Sequence, residues 1–230
     1  MKKVSKKRKE VMSKLDLTKK YEVKEAIKLL KENSITKFNE TLDVAINIAI
    51  DTKKTDQNVR GVIDLPYGTG KKVIVAVIAK GDSVKDAKNA GADLVGDNDL
   101  AENISKGKID FNLLITTPDM MPVIGKLGKI LGPKGLMPNP KLGTVTKDVS
   151  TAVKKAKAGQ VQYKNDKAGI IHAGVGKLNF KDENLFDNLK AFYQAVLKSK
   201  PDTAKGSFIK KVTIASTMGF GLEVNVGELR

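Results

Sequence analysis

The apolar pattern of this chain changes period twice, and no single regular sheet or bundle accommodates both versions of it. Over residues 41–50 the pattern alternates, with Leu42, Val44, Ile46, Ile48 and Ile50 on one face and Asp43, Asn47 and Asp51 on the other. That is a strand half-buried in an antiparallel or mixed sheet. Residues 73–79, VIVAVIA, are apolar without interruption, as expected of a strand covered on both faces. Beyond Gly159 the mixture of short strands and one long amphipathic helix returns.

The first region predicts a helix over 21–31, where Val23, Ile27 and Leu30 recur at helical spacing and Thr18 is available as N-cap. Strands are predicted over 41–50 and 59–65. The middle region predicts strands at 73–79, 94–95 and 111–116, alternating with helices at 83–90, 99–106 and 148–158. Such alternation implies a parallel, three-layer α/β unit. The last region predicts strands at 160–164 and 169–173 around a polar turn at Asn165 and Asp166, and a further short strand at 177–180. A helix over 182–198 carries Leu185, Leu189, Phe192 and Val196 on one face. Strands at 208–216 and 222–226 finish the chain.

Glycine and proline cluster at the first change of pattern (Pro66, Gly68, Gly70), and Gly159 marks the second. The reading is an insertion. Residues 1–66 and 160–230 build a composite α+β domain from both chain ends, and residues 67–159 form an inserted α/β domain. Two neighbouring crossings of this kind permit rigid-body motion.

The chain carries a formal net charge of +16 over 230 residues, with no cysteine and a single histidine, His172. Charge of that sign draws polyanions, nucleic acid first and an anionic membrane surface second. Disulfides and thiolate metal sites are excluded, and a histidine-rich metal site has no ligands. The basic start, MKKVSKKRKE, is followed by no apolar segment of a secretory signal. The expectation is a soluble cytoplasmic protein whose residues 1–20 form a solvated arm. Net charge does not separate the domains: the insert holds +6 and the remainder +10.

Enzyme chemistry finds little support. Gly70-Lys71, Gly107-Lys108 and Gly128-Lys129 lack the first glycine and the hydroxyl residue of a phosphate-binding P-loop. Gly68-Thr69-Gly70 does not continue into a dinucleotide fingerprint. His172, in an apolar strand without a serine elbow, reads as a structural or surface-facing strand residue. Asp97 with Asp99, and Asp182 with Glu183, stand where helices begin and read as caps.

Three short segments have the chemistry of nucleic-acid contacts, and each has a plainer alternative. Residues 37–41 (KFNET) join an aromatic to a cation, or else hold a core phenylalanine beside a solvated lysine. Residues 164–167 (KNDK) form a basic turn, or an ordinary hairpin. Residues 216–219 (STMG) offer a hydroxyl, a flat apolar methionine and bare backbone to ribose edges, or simply end a strand. All three belong to the composite domain.

Taken together with TDQNVRG at 55–61, GADLVG at 91–96, the long stretch TTPDMMPVIGKLGKILGPKGLMPNPKLGTVT at 116–146 and KNDKAGIIHAGVGK at 164–177, these segments give a specific resemblance. The chain resembles the bacterial L-one family of large ribosomal subunit proteins, found on the mobile stalk beside the tRNA exit site. The resemblance implies the same two-domain insertion. It implies binding to a helix junction of large-subunit ribosomal RNA, help in releasing deacylated tRNA from the exit site, and repression of the protein's own operon by binding its messenger RNA. It implies no catalysis, cofactor or metal, no membrane, a place in the large subunit, and a monomer when free. By resemblance the RNA-binding residues are Lys37, Phe38, Glu40, Thr41, Lys164, Lys167, His172, Thr217, Met218 and Gly219, together with Lys54 and Arg60. The family typically has proline after STMG; here it is Phe220.

The stretch from Met120 to Val145 is rich in glycine and proline and contains no carboxylate. It cannot be one long helix or strand and reads as an ordered basic loop beside a short helix. Its lysines Lys126, Lys129, Lys134 and Lys141 are expected to give the insert a secondary grip on RNA.

Overall fold

The computed structural model describes residues 11, 16, 19–52, 54–201 and 206–229, and the side chains of residues 55, 82 and 141 are not described. Most of the basic arm, with the candidate cap Thr18, therefore lies outside the described residues. The chain divides into two compact units, one made of residues 1–70 and 161–230 and the other of residues 71–160.

The composite α+β unit is built on a five-stranded mixed sheet. Its strands are β1 (Lys20–Tyr21), β2 (Thr41–Ile48), β8 (Ile170–Lys177), β9 (Ile209–Ser216) and β10 (Gly221–Val224), in the order β1-β10-β9-β2-β8. Only the β1–β10 pair is parallel. Alternation in β2 sends Leu42, Val44, Ile46 and Ile48 inward, all at most 2 % exposed. Helices α1 (Val23–Glu32) and α7 (Asp182–Lys198) cover that face and pack on each other. Their apolar stripes supply Val23, Ile27 and Leu30 from one side and Leu185, Leu189, Phe192 and Val196 from the other. The opposite face, with Asp43, Ala45, His172 and Thr213, has neither helix packed on it. A separate two-stranded sheet pairs β3 (Arg60–Asp64) with β7 (Gln160–Lys164). Tyr163 anchors it, with its ring edge-on to Phe192 at 5.5 Å between centroids.

Four sequence expectations change here. Tyr21 is not helical: it is buried at 6 % exposure in edge strand β1, and the helix begins after Glu22, whose backbone is extended. Strand β8 does not stop at Ala173 but runs through Gly174 and Gly176 to Lys177. These glycines face a register shift between Leu42 and Asp43, so they accommodate a bulge rather than break the strand. Residues 178–180 form a turn, not a strand, closed by the Phe180 N–H on the Lys177 carbonyl at 3.0 Å. Finally, β7 and β8 are not a hairpin. They belong to different sheets, joined only by the isolated bridge between Asn165 and Ile171.

The inserted unit is the three-layer α/β structure that the apolar runs imply. Strands β4 (Val75–Ile78), β5 (Leu94–Gly96) and β6 (Leu113–Thr116) form a parallel sheet in the order β5-β4-β6. Alternate residues of β4 enter two different cores, which explains the uninterrupted apolar run. Ala76 and Ile78 pack with α3 (Asn98–Ser105), α4 (Met121–Lys126) and α5 (Gly128–Leu131). Val75 and Val77 pack with α2 (Asp82–Asn89) and α6 (Val149–Ala158). Asp148 caps α6 by accepting from the Thr151 N–H at 3.2 Å. Asp97 precedes α3 but makes no such bond, and Asp182 pairs with Lys31, so neither makes an N-cap bond; Asp99, Asp182 and Glu183 do stand in the first turns of their helices, where negative charge is favourable. The glycine- and proline-rich stretch holds two short helices, α4 and α5, and a single 3-10 turn at Pro140–Leu142. It is stitched to the sheet edge through the Thr116 N–H on Thr144 and the Thr146 N–H on Thr116. No described helix is long and apolar enough to cross a membrane.

Both ends of the insertion are left-handed at glycine, Gly70 at φ 68° and Gly159 at φ 106°. Before the first crossing, Asn188 on α7, fully buried, holds the chain. The Tyr67 N–H donates to its Oδ1 at 3.1 Å, and its Nδ2 donates to the carbonyls of Gly68 at 3.0 Å and Val175 at 2.8 Å. Asn188→Ala removes all three partners at once. It is expected to destabilise the protein by about 1–3 kcal/mol, read as a shift of the urea midpoint.

Candidate nucleic-acid interface

The expected contact residues gather in two places on the composite unit. At one end of the sheet, residues 37–41 lead into β2 and the turn 216–219 joins β9 to β10. Strand pairing brings them together, because Leu42 lies opposite Ser216. The Thr41 N–H donates to Thr217 Oγ1 at 2.9 Å, and Thr217 Oγ1 donates back to the Thr41 carbonyl at 3.4 Å. The turn closes through the Gly219 N–H on the Ser216 carbonyl at 3.1 Å. A side chain at Gly219 would collide with Ser216 Oγ unless that hydroxyl turned away. Phe220 is only 8 % exposed and joins the core, anchoring the turn from below.

This end combines exposed apolar groups with buried polar ones, the reverse of ordinary partition. Phe38 is 56 % exposed and Met218 55 %, whereas Glu40, Thr41 and Ser216 are buried. The core-phenylalanine alternative is thereby removed. Glu40 Oε1 accepts from Thr36 Oγ1 at 2.8 Å. Glu40 Oε2 and Ser216 Oγ have no hydrogen-bond partner within the described protein. Buried polar atoms are nearly always bonded, so these two are groups with hydrogen-bonding capacity left to use. Lys37 is exposed beside them.

The second group lies at the other end of β2. Lys164 and Lys167 are exposed on either side of buried Asn165. Asn165 binds residue 59 in both directions: its Oδ1 accepts from the Val59 N–H at 2.7 Å, and its own N–H donates to the Val59 carbonyl at 3.0 Å. The Lys167 carbonyl accepts from Thr52 Oγ1 at 2.9 Å, which ties this turn to the loop carrying Lys54. Lys54 and, at the start of β3, Arg60 are exposed. The Ile170 N–H, then that of Ala168 and the His172 ring, hold the Asp166 carboxyl below the usual carboxylate range. A lowered value means that this stabilisation is present above the ordinary carboxylate pKa and is lost as pH falls through the lowered one.

His172 is surface-facing, paired with Ala45 midway along β2 on the uncovered face, and its Nε2 lies 3.7 Å from Asp166 Oδ2. The two groups stand at opposite ends of the eight-residue strand β2, roughly 23 Å apart at a strand's rise per residue. Lys126, Lys129 and Lys134 are exposed on the inserted unit; the Lys141 side chain lies outside the described residues. Sequence reasoning passed over Lys177, whose Nζ reaches the Asn39 carbonyl and Thr41 Oγ1. The signal was present only as the last letter of the 164–177 segment. Among the described residues, no cluster of three His, Cys, Asp or Glu could hold a metal ion.

Comparison with known proteins gives the class first: a family model described as the ribosomal protein L1p/L10e family matches residues 29–220, most of the chain. Curated relatives agree over the whole length. The chain is 54 % identical over 229 residues to large ribosomal subunit protein uL1 of Actinobacillus succinogenes, covering 100 % of both chains. It is 53 % identical to uL1 of Vibrio vulnificus, covering 100 % of this chain and 98 % of the relative, and 54 % identical to uL1 of Pasteurella multocida, covering 100 % of both. The chain belongs to the ribosomal protein L1p/L10e family.

Because Phe38 and Met218 project from the surface, truncating them removes little packing. Phe38→Ala and Met218→Ala are each expected to change stability by less than about 0.5 kcal/mol, measured by chemical denaturation.

Proposed function

We propose that this protein is a structural constituent of the large ribosomal subunit. In this reading its composite unit binds large-subunit ribosomal RNA at the stalk helix junction. The observation that carries it is the end of the sheet where exposed Phe38 and Met218 flank buried Glu40, Thr41 and Ser216. The uL1 names of the full-length relatives support the same reading. Phe38 and Met218 present flat apolar surface to ribose and base, and the buried oxygens accept from, or bond to, RNA 2′-hydroxyls. Recognition of shape and 2′-hydroxyls suits RNA, whose A-form major groove is too narrow for side chains to read. Lys37, Lys54, Arg60, Lys164 and Lys167 neutralise phosphates and release counterions, so affinity falls steeply with salt. Gly219 keeps the 216–219 turn closed, and His172 meets sugar or phosphate between the two groups. Lys126, Lys129, Lys134 and Lys141 give the insert a secondary RNA contact.

Two further roles follow from the family resemblance. The protein assists release of deacylated tRNA from the exit site, and it represses translation of its own operon by binding messenger RNA that imitates the ribosomal junction. Neither role requires catalysis.

Thr217→Val and Met218→Ala are expected to weaken binding to the stalk-junction RNA about tenfold or more, Met218→Ala with its thermal melt unchanged and Thr217→Val with a lowered but still cooperative melt, because it removes the acceptor of the Thr41 N–H. Binding is measured across salt concentrations with unstructured RNA, duplex DNA and anionic vesicles as competitors. Equal competition by all three would reduce the protein to a nonspecific polycation. Unchanged affinity in both variants would remove the 216–219 turn from the interface.

A further inference from the structure

We infer that Lys177 is a positioning residue for this surface, holding residues 39–41 in register with the Thr217 turn. The inference rests on the RNA-binding reading above. Lys177 ends β8 directly opposite Thr41. Its Nζ donates to the Asn39 carbonyl at 3.2 Å and to Thr41 Oγ1 at 3.0 Å. The next residue continues the clamp, with the Leu178 N–H on the Glu40 carbonyl at 2.9 Å. Residues 39, 40 and 41 are thus each gripped by residue 177 or 178. From the other side, the Thr41 N–H is bonded to Thr217. Thr41 therefore ties three strands together at the end where Phe38 and Met218 emerge.

The chemistry of the clamp is directional. An ammonium group only donates, so Thr41 Oγ1 must accept from Lys177. That leaves the Thr41 hydroxyl proton to donate elsewhere, to an acceptor such as a ribose or phosphate oxygen. A neutral side chain at 177 would release both the backbone at Asn39 and the orientation of that hydroxyl. Lys177 is half-buried and turned inward onto protein oxygens, whereas Lys37, Lys164 and Lys167 are exposed. Its charge serves the shape of the surface before it serves the RNA.

The test uses the full chain as wild type, K177M, K177R, T41V and K177M/T41V. Amide hydrogen exchange at residues 39–41 and 178 reads the clamp itself. Affinity for the stalk-junction RNA at several salt concentrations reads its consequence, and thermal melts check folding. K177M is expected to speed exchange at these amides and to lower affinity about tenfold at every salt concentration, as loss of charged hydrogen bonds does. The slope of log affinity against log salt should stay as in wild type, and K177R should recover most of the loss. The double variant should lose less than the sum of the two single losses, since both changes break the Lys177–Thr41 bond and only K177M also breaks the bond to Asn39. Unchanged exchange and affinity in K177M overturn the inference. So does a slope reduced by about 0.7–0.9, the signature of one lost phosphate contact, or additive losses in the double variant. If wild type prefers junction RNA no more than unstructured RNA, the underlying reading fails first, on wild type alone, and takes the inference with it.

Discussion

Strand β2 is hydrogen-bonded on both edges to strands from the far end of the chain, β8 on one side and β9 on the other. Everything else in the composite unit depends on that double pairing. It supplies the centre of the sheet against which α1 and α7 bury their apolar stripes. It closes the chain around residues 71–160, whose unit is inserted between the two segments that make up the composite unit. It also sets register, and in a strand a shift of one residue exchanges the two faces. A slip of β2 would bring Asp43 and Asn47 into the core and push Val44 and Ile46 out. The site is specified by the same constraint that specifies the core, because Thr41 meets Lys177 and Leu42 meets Ser216 only in this register.

The polar groups of the site are held at the margin of that sheet, where pairing ends but burial does not. Glu40 is 2 % exposed and Ser216 4 %, each with an oxygen that the described protein leaves unbonded. Leaving a buried polar atom unpaired costs about 1–3 kcal/mol. Asn188 shows that this fold satisfies buried amides fully when the role is structural, using three bonds for one side chain. Asp97 Oδ1 and Thr117 Oγ1 on the inserted unit are unbonded as well; what sets Glu40 and Ser216 apart is that they lie beside the exposed Phe38 and Met218.

How much of this was legible in the sequence follows from how local each signal is. The two periods of the apolar pattern are local, and they suffice for the mixed sheet, the parallel sheet and the insertion between them. Helix α7 could be read to its last residue, since its apolar stripe and acidic first turn are unambiguous. Partner choice is not local. Residues 160–164 and 169–173 look like a hairpin because they are adjacent and strand-like, yet β7 pairs with β3 and β8 with β2. Gly174 and Gly176 read as a break because a bulge is visible only from the opposite strand. Strand β1 is two residues long and too short to show any period. The contact segments 37–41 and 216–219 stand out individually. Their meeting, the exposure of Phe38 and the inward turn of Lys177 all depend on the pairing of β2.

The spacing of the two groups along β2 bears on how the proposed surface divides its work. In protein–nucleic acid interfaces, phosphate contacts set position while contacts to bases and sugars specify. The end at Lys164 and Lys167 offers exposed cations on a turn braced through Asn165, suited to position. The end at Phe38 and Met218 offers rigid apolar groups around buried oxygens, suited to discrimination. On the proposed reading, a ligand using both crosses the face of the sheet, where Ala45, Gly174 and Ala215 lie among Asp43, Thr213 and His172. A flat crossing of this kind admits a folded backbone of the right width and gives a flexible strand little to grip. On the proposed reading, the distance between the two ends, rather than any one residue, is what selects RNA structure over RNA sequence.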